Sequence, residues 1–151
     1  MPPNRRLIKQ MTELAAEAAG LELEPEQGVV ISFVEDHEMA RINYDCLEHE
    51  GTTDVITFAY LEDELLPDDT AVELIICVDF AWREGKKRQK SSFARELALY
   101  IVHGLLHSAG EDDLSPGPRR RMRRREREVM AELAASMDFD AIFPGIKTEP
   151  S

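Results

Sequence analysis

Long apolar runs are scarce in this chain, and paired cysteines, internal repeats and a Ser/His nucleophile pattern are missing. The longest uncharged apolar stretch, LALYIVHGLLHSAG, has 14 residues and carries two histidines. That is too few to span a bilayer. The opening MPPNRRLIKQMTELAAEAAG is charged and helix-periodic, so it does not read as a secretion signal. Cys46 and Cys77 stand far apart with no CxxC spacing, which favours reduced thiols over a disulfide or a cysteine metal site. A soluble, cytoplasmic protein without a membrane partner is therefore expected. At 151 residues and 43% hydrophobic content there is material for one core and little room for a second.

What is present in excess is acid, with a formal net charge of −12. The basic residues are segregated, however. KKRQK (86–90) and RRRMRRRER (119–127) hold 11 of the 18 lysines and arginines. Such islands steer a phosphate backbone onto one part of an otherwise acidic protein. A solvated helix face supported by neighbouring acids produces the same run, and a charge run alone favours that plainer reading.

Apolar spacing at Leu7, Met11, Leu14, Ala15 and Ala18 predicts an amphipathic helix from about Arg5 to Ala19, closed by Gly20. GVVISFV reads as a strand, and Asp36 is placed to cap a helix running through the neighbourhood of Cys46. DVITFAY is a second strand. VELIICVDF, alternating Val72, Leu74, Ile76 and Val78 against Glu73, Ile75, Cys77 and Asp79, predicts a sheet buried mainly on one face. The acidic LEDELLPDDT between them reads as a loop. Beyond Asp79 come a short helix to Arg88, a longer one capped by Ser92 to about Ala109, and a last one from about Pro116 to Ser136. The class is α+β, with a single small mixed β-sheet covered by helices. Residues 1–137 form the expected domain, and 138–151 a tail that frays in part.

The chemistry concentrates in HGLLHSAGEDDL (103–114). His103 and His107 are one helical turn apart, so two imidazoles can share one ion. Gly110 suits the left-handed residue that ends a helix, and the returning chain can bring a carboxylate at 112 or 113 to a third position. Two histidines at this spacing are by themselves more often coincidence than ligands. The glycine and the acids after it reverse those odds. Zinc accepts imidazole with carboxylate, as do iron, manganese and nickel. In the zinc-protease pattern HExxH a glutamate follows the first histidine; here Gly104 takes its place, which removes the general base of a zincin-like metalloprotease. Glycine instead permits close packing or a close approach of substrate.

HGLLHSAGEDD resembles the HGxLHxxGxDH signature of the YbeY family of metal-dependent endoribonucleases that act in ribosomal RNA maturation. INYDCLEHEGTTDVITF is similar to the family segment LNxxYRxxDxPTDVLSF, with Asn43, Thr53, Asp54, Val55 and Phe58 in register, and ELIICVD resembles the strand written GDIxIS. The likeness covers roughly residues 4–136. It implies that His103, His107 and Asp113 hold one divalent metal ion, most readily zinc, on a late core helix and the turn after it. Asp113 stands where the family has a third histidine, which adds a negative charge and favours harder ions. Asp112 is the second choice for that ligand, its plainer role being a cap. Leu47 replaces an arginine of the family segment, and the family's opening strand is nearly absent.

The function implied is hydrolysis of single-stranded RNA, in ribosomal RNA or the small ribosomal subunit, at the 3′ end of 16S rRNA and in ribosome quality control. The metal would activate water or polarise a phosphate oxygen, and either water or the RNA 2′-hydroxyl would attack. Lys86, Lys87, Arg88 and Lys90 before the ligand helix, and Arg119 and Arg120 after it, are the candidate RNA-backbone contacts. Thr53 and Asp54 divide evenly between starting a strand and serving the site. His37 and His49 read as ordinary exposed residues. The competing function is a non-catalytic ribosome-assembly factor that keeps the metal for stability.

Overall fold

A computed structural model of the protein describes residues 3–23, 28–60 and 70–144. Helix α1 (Arg5–Ala19) starts where the Asn4 side chain accepts the Leu7 N–H at 3.1 Å, and it ends at Gly20 with φ 77°. Met11, Ala15, Ala16 and Ala19 form its buried stripe, while Leu14 lies at the edge and is 43% exposed. There follow β1 (Gly28–Val34), α2 (Asp36–Leu47), β2 (Val55–Ala59) and β3 (Thr70–Cys77). The chain then continues through α3 (Val78–Lys87), α4 (Phe93–Ser108), α5 (Pro116–Ser136) and the short α6 (Phe139–Ile142). The three strands make one mixed sheet in the order β1-β3-β2, parallel between β1 and β3 and antiparallel between β2 and β3. This is the expected α+β class. The predicted acidic loop falls almost wholly on 61–69, outside the described residues.

Three expectations change. First, β3 is not buried on one face. As the central strand it is covered on both, and Glu73 is its one residue that is not buried. Val72, Leu74 and Ile76 join the main core with α1, α4 and α5, whereas Ile75 and Cys77 join Met39 of α2 in a second cluster. A continuous apolar run is what a two-sided strand requires. Val78 and Asp79 already belong to α3.

Second, Asp36 does not cap α2. Glu35 is the N-cap residue, without a side-chain cap bond, and the Asp36 carboxylate is taken by Arg83, whose Nη2 donates to Oδ1 at 3.0 Å. That guanidinium holds the Asp36 carboxyl below the usual carboxylate range. The orphan N–H of Asp36 goes instead to Asp79 Oδ2 of α3 at 2.9 Å, so a distant carboxylate serves the helix start.

Third, the packed fold does not stop at 137. Asp138 caps α6 through the Asp140 N–H at 3.0 Å, Ile142 and Phe143 are fully buried, and Phe143 meets Phe33 edge-on at 6.2 Å. The Ile142 carbonyl accepts the Asn4 N–H at 2.9 Å, tying this segment to the start of α1. A four-residue helix is too short to show periodicity, which is why the sequence pattern hides it. Residues 145–151 lie outside the described residues. Among those described, no helix is long and apolar enough to cross a membrane, and both cysteines are free thiols, Cys46 exposed and Cys77 buried.

Candidate active site

The site is built on α4, the most buried helix. Ser92 Oγ accepts the Arg95 N–H at 3.1 Å and starts it. Leu97, Ala98, Ile101, Val102, Leu105 and Leu106 bury its faces. Gly104 allows the helix to lie directly on the sheet. A Cβ there would stand 2.5 Å from Leu74 Cδ2 and 3.0 Å from Thr57 Oγ1. Close helix-to-sheet packing is therefore the role of the glycine that replaces the protease glutamate.

The helix ends in a Schellman turn: Gly110, at φ 109°, donates its N–H to the His107 carbonyl, and the Glu111 N–H reaches the Leu106 carbonyl, both at 3.1 Å. The chain then doubles back. Asp112 Oδ1 accepts the Leu114 N–H at 3.1 Å, a local turn contact. Arg119 Nε donates to the Asp113 carbonyl at 3.1 Å and Arg121 Nε to Glu111 Oε1 at 2.9 Å, so α5 grips the turn. Asp113 Oδ2 is thereby brought to 3.8 Å from His103 Nε2. Between the two neighbouring acids, the structure turns Asp113 towards His103.

The other nitrogen of His103, Nδ1, is hydrogen-bonded to Glu126 Oε2 of α5. Burial alone would lower the His103 pKa. The Glu126 hydrogen bond and charge, with the carboxylates of Asp54 and Asp113, outweigh it and raise the pKa above the ordinary histidine value. Asp54 enters at the start of β2, where its Oδ1 accepts the Val55 N–H at 2.7 Å and its carbonyl accepts the Cys77 N–H at 2.9 Å. The buried Asn43 holds the loop before it, donating to the Gly51 carbonyl at 2.9 Å. His103, Asp54, Asp113 and Glu126 line a cleft of about 410 Å³ together with Arg88, Leu99, Tyr100, Arg119, Met122 and Arg123.

The family model for Endoribonuclease YbeY matches residues 3–134, nearly the whole described fold. The chain belongs to the YbeY family. An Endoribonuclease YbeY of Rhodopirellula baltica is 36% identical over 87% of this chain and 69% of its own length. That of Macrococcus caseolyticus is 35% identical over 87% and 86%, and that of Symbiobacterium thermophilum 32% identical over 88% of each. The solution structure of TM1509 from Thermotoga maritima shares the fold, with a TM-score of 0.57 at 22% identity over 97% of this chain and 96% of that one.

Within this YbeY fold the sequence-derived candidates divide. His103 and Asp113 line the cleft together. His107 is exposed and outside its lining, its Nδ1–H donating to the Glu111 carbonyl at 3.1 Å. Of the basic candidates, Arg88 and Arg119 reach the cleft. Lys86 lies over the Trp82 ring at 5.2 Å, Lys87 pairs with Glu84 at 3.2 Å, and Lys90 and Arg120 are exposed elsewhere. Thr53 and Asp54 do both things weighed for them in part: Asp54 leads into β2 and also lines the cleft. Arg123, from the basic run 119–127, also lines the cleft; sequence reasoning did not pick out Glu126 or Tyr100 as site residues. Glu126 was the one acid in an arginine run, and that break in the run was its only signal.

The donor chemistry suits a divalent ion. Both histidines have Nδ1 engaged, by Glu126 and by the Glu111 carbonyl, which leaves Nε2 as the donor atom of each, and orienting contacts of this kind accompany metal-binding histidines. A carboxylate oxygen already faces one of them. Among the described residues, no three His, Cys, Asp or Glu groups are gathered as a formed metal cluster.

Proposed function

We propose that the protein is a metal-dependent endoribonuclease that cuts single-stranded RNA at the α4–α5 cleft. Its intended substrate is ribosomal RNA, above all the 3′ end of 16S rRNA. The supporting observation is His103 held between Glu126 and Asp113 in an arginine-bearing cleft, in a chain of an endoribonuclease family.

His103, His107 and Asp113 are the residues that would hold one divalent ion, zinc first. Bound there, the ion supplies a Lewis acid for a phosphate oxygen and a lowered pKa for a water molecule. Glu126 fixes the ring and tautomer of His103 through Nδ1. The cleft lining holds three carboxylates, Asp54, Asp113 and Glu126, and three guanidinium groups, Arg88, Arg119 and Arg123, whose formal charges balance. Two added positive charges would tip that balance towards a phosphodiester anion. Arg119 and Arg123 place cations where the RNA backbone enters, and an unpaired strand reaches so open a cleft with little deformation.

The test is cleavage of a labelled single-stranded RNA with zinc, manganese or chelator. We expect the wild type to cut, and chelator, His103→Ala, His107→Ala and Asp113→Ala each to reduce cutting to background. RNA left intact with every metal would overturn the reading. A metal-dependent rise in melting temperature without cleavage would assign the protein to ribosome assembly instead.

A further inference from the structure

Of the four cations between 86 and 90, the structure sends one, Arg88, into the cleft. Its guanidinium is held from two sides: Nη2 is 3.0 Å from Glu84 Oε1, and Nη1 is 3.7 Å from Glu96 Oε1. Glu96 is 0% exposed, on the first turn of α4. It accepts hydrogen bonds from Tyr100 Oη at 3.1 Å and Ser91 Oγ at 2.6 Å, and Tyr100 also lines the cleft. A carboxylate taken fully out of water is costly unless it is paired and hydrogen-bonded. Among the described residues, the Arg88 guanidinium is the positive charge within ion-pair distance of it.

The backbone under Arg88 is equally constrained. A Cβ on Gly85 would lie 2.6 Å from both Phe93 N and the Ser92 carbonyl carbon, so the last turn of α3 is pressed onto the start of α4. The Arg88 N–H also bonds the Glu84 carbonyl at 3.0 Å. Arg119, by contrast, has its Nε committed to the turn at Asp113. A guanidinium carries five donors in a planar fork, and the two carboxylates leave some of them for a further anion. The Arg88 side chain is 54% exposed, so an anion can reach them.

We propose that Arg88 is the residue that receives an RNA backbone phosphate in this cleft, and that Glu96 is its positioning residue. The inference rests on the endoribonuclease reading. Glu96 does not touch RNA. It converts a long side chain that would otherwise sweep through solvent into a fixed donor, so that ordering it costs less when RNA binds.

The test measures anisotropy of a labelled single-stranded RNA with chelator present, so that nothing is cut, and then KM and kcat with metal. Arg88→Gln is expected to weaken binding and raise KM about tenfold, with kcat nearly unchanged, and to lower the salt slope of binding by about 0.7. Arg88→Lys recovers the salt slope but only part of the affinity. Glu96→Gln weakens binding in the wild-type background and adds nothing in Arg88→Gln, because the two act as a unit. Ser91→Ala and Tyr100→Phe, each removing one hydrogen bond to Glu96, give the same pattern more weakly and serve if Glu96→Gln does not fold. Arg88→Gln binding RNA as the wild type does would overturn the proposal. Equal losses from Glu96→Gln in both backgrounds would overturn the positioning role. A wild type that neither binds nor cuts RNA would instead overturn the endoribonuclease reading.

Discussion

Two histidines one turn apart on α4 stand in different surroundings. His103 faces α5, and its ring is fixed by the side chain of Glu126, a residue 23 positions away in sequence. His107 is exposed, and its ring is fixed by the Glu111 carbonyl within the turn that ends its own helix. The difference comes from what each turn of α4 packs against. Near 104 the helix lies on the sheet with α5 beside it, whereas at 107 it is about to end. One ring is oriented by tertiary packing and the other by local backbone, so they respond differently to the same kind of damage.

Removing the tertiary acceptor should have the largest effect. Glu126→Ala frees the His103 ring and is expected to lower zinc affinity about 10–100-fold, measured by competition with a chelating dye. Glu111→Ala leaves the backbone acceptor of His107 in place and should change zinc affinity little. Equal losses in the two variants would erase the distinction.

A smaller effect is expected for stability. Gly104→Ala gains helix propensity of about 1 kcal/mol. It also drives a methyl group into Leu74, which is fully buried and cannot retreat. We expect a net loss of about 1–3 kcal/mol in urea unfolding. His107→Ala, three residues on and exposed, should stay within about 0.5 kcal/mol.

The smallest effect concerns the first half of α4 in alkali. Burial, then the Glu96 carboxylate, pushes the Tyr100 phenol well above its ordinary value of 10.0, and burial raises the Cys77 thiol above 9.0. Both groups stay protonated when folded and ionise when unfolded. Their contribution is complete below those ordinary values and is lost as pH rises through the folded ones. Unfolding free energy should therefore decline above about pH 9, and Tyr100→Phe should flatten the decline above about pH 10.

The same contrast marks what the sequence made legible. Local signals sufficed for α1, for α4 with its Ser92 cap, and for the turn at Gly110 that carries Asp113 back, because capping and left-handed glycine are properties of a few adjacent residues. The two-sided burial of β3, the capping of α2 by Asp79, and the burial of Ile142 and Phe143 depend on partners far along the chain. Glu126 and Glu96 stayed hidden for that reason too. A glutamate held inside a helix contact has the same spelling as a solvated one, and only its partners, His103 or Arg88 and Tyr100, tell them apart.

The parallel pairing of β1 with β3 has a consequence for how the protein comes into being. Gly28 meets Thr70 and Val34 meets Cys77, so this pairing closes a loop of roughly 40 residues, which must lose its freedom before the contact repays it. Helices α4 and α5, adjacent in sequence, face no such delay. By loop closure the β1–β3 pairing is the slow contact in forming the sheet on which Gly104 rests. Strand β2, which leads out of Asp54, pairs with β3 over a shorter separation, from Val55 with Ile76 to Ala59 with Val72. All three strands precede the histidines and arginines of the cleft in the chain, so a chain leaving the ribosome offers the strands first, and the cleft is complete only once α4, its turn and α5 have followed.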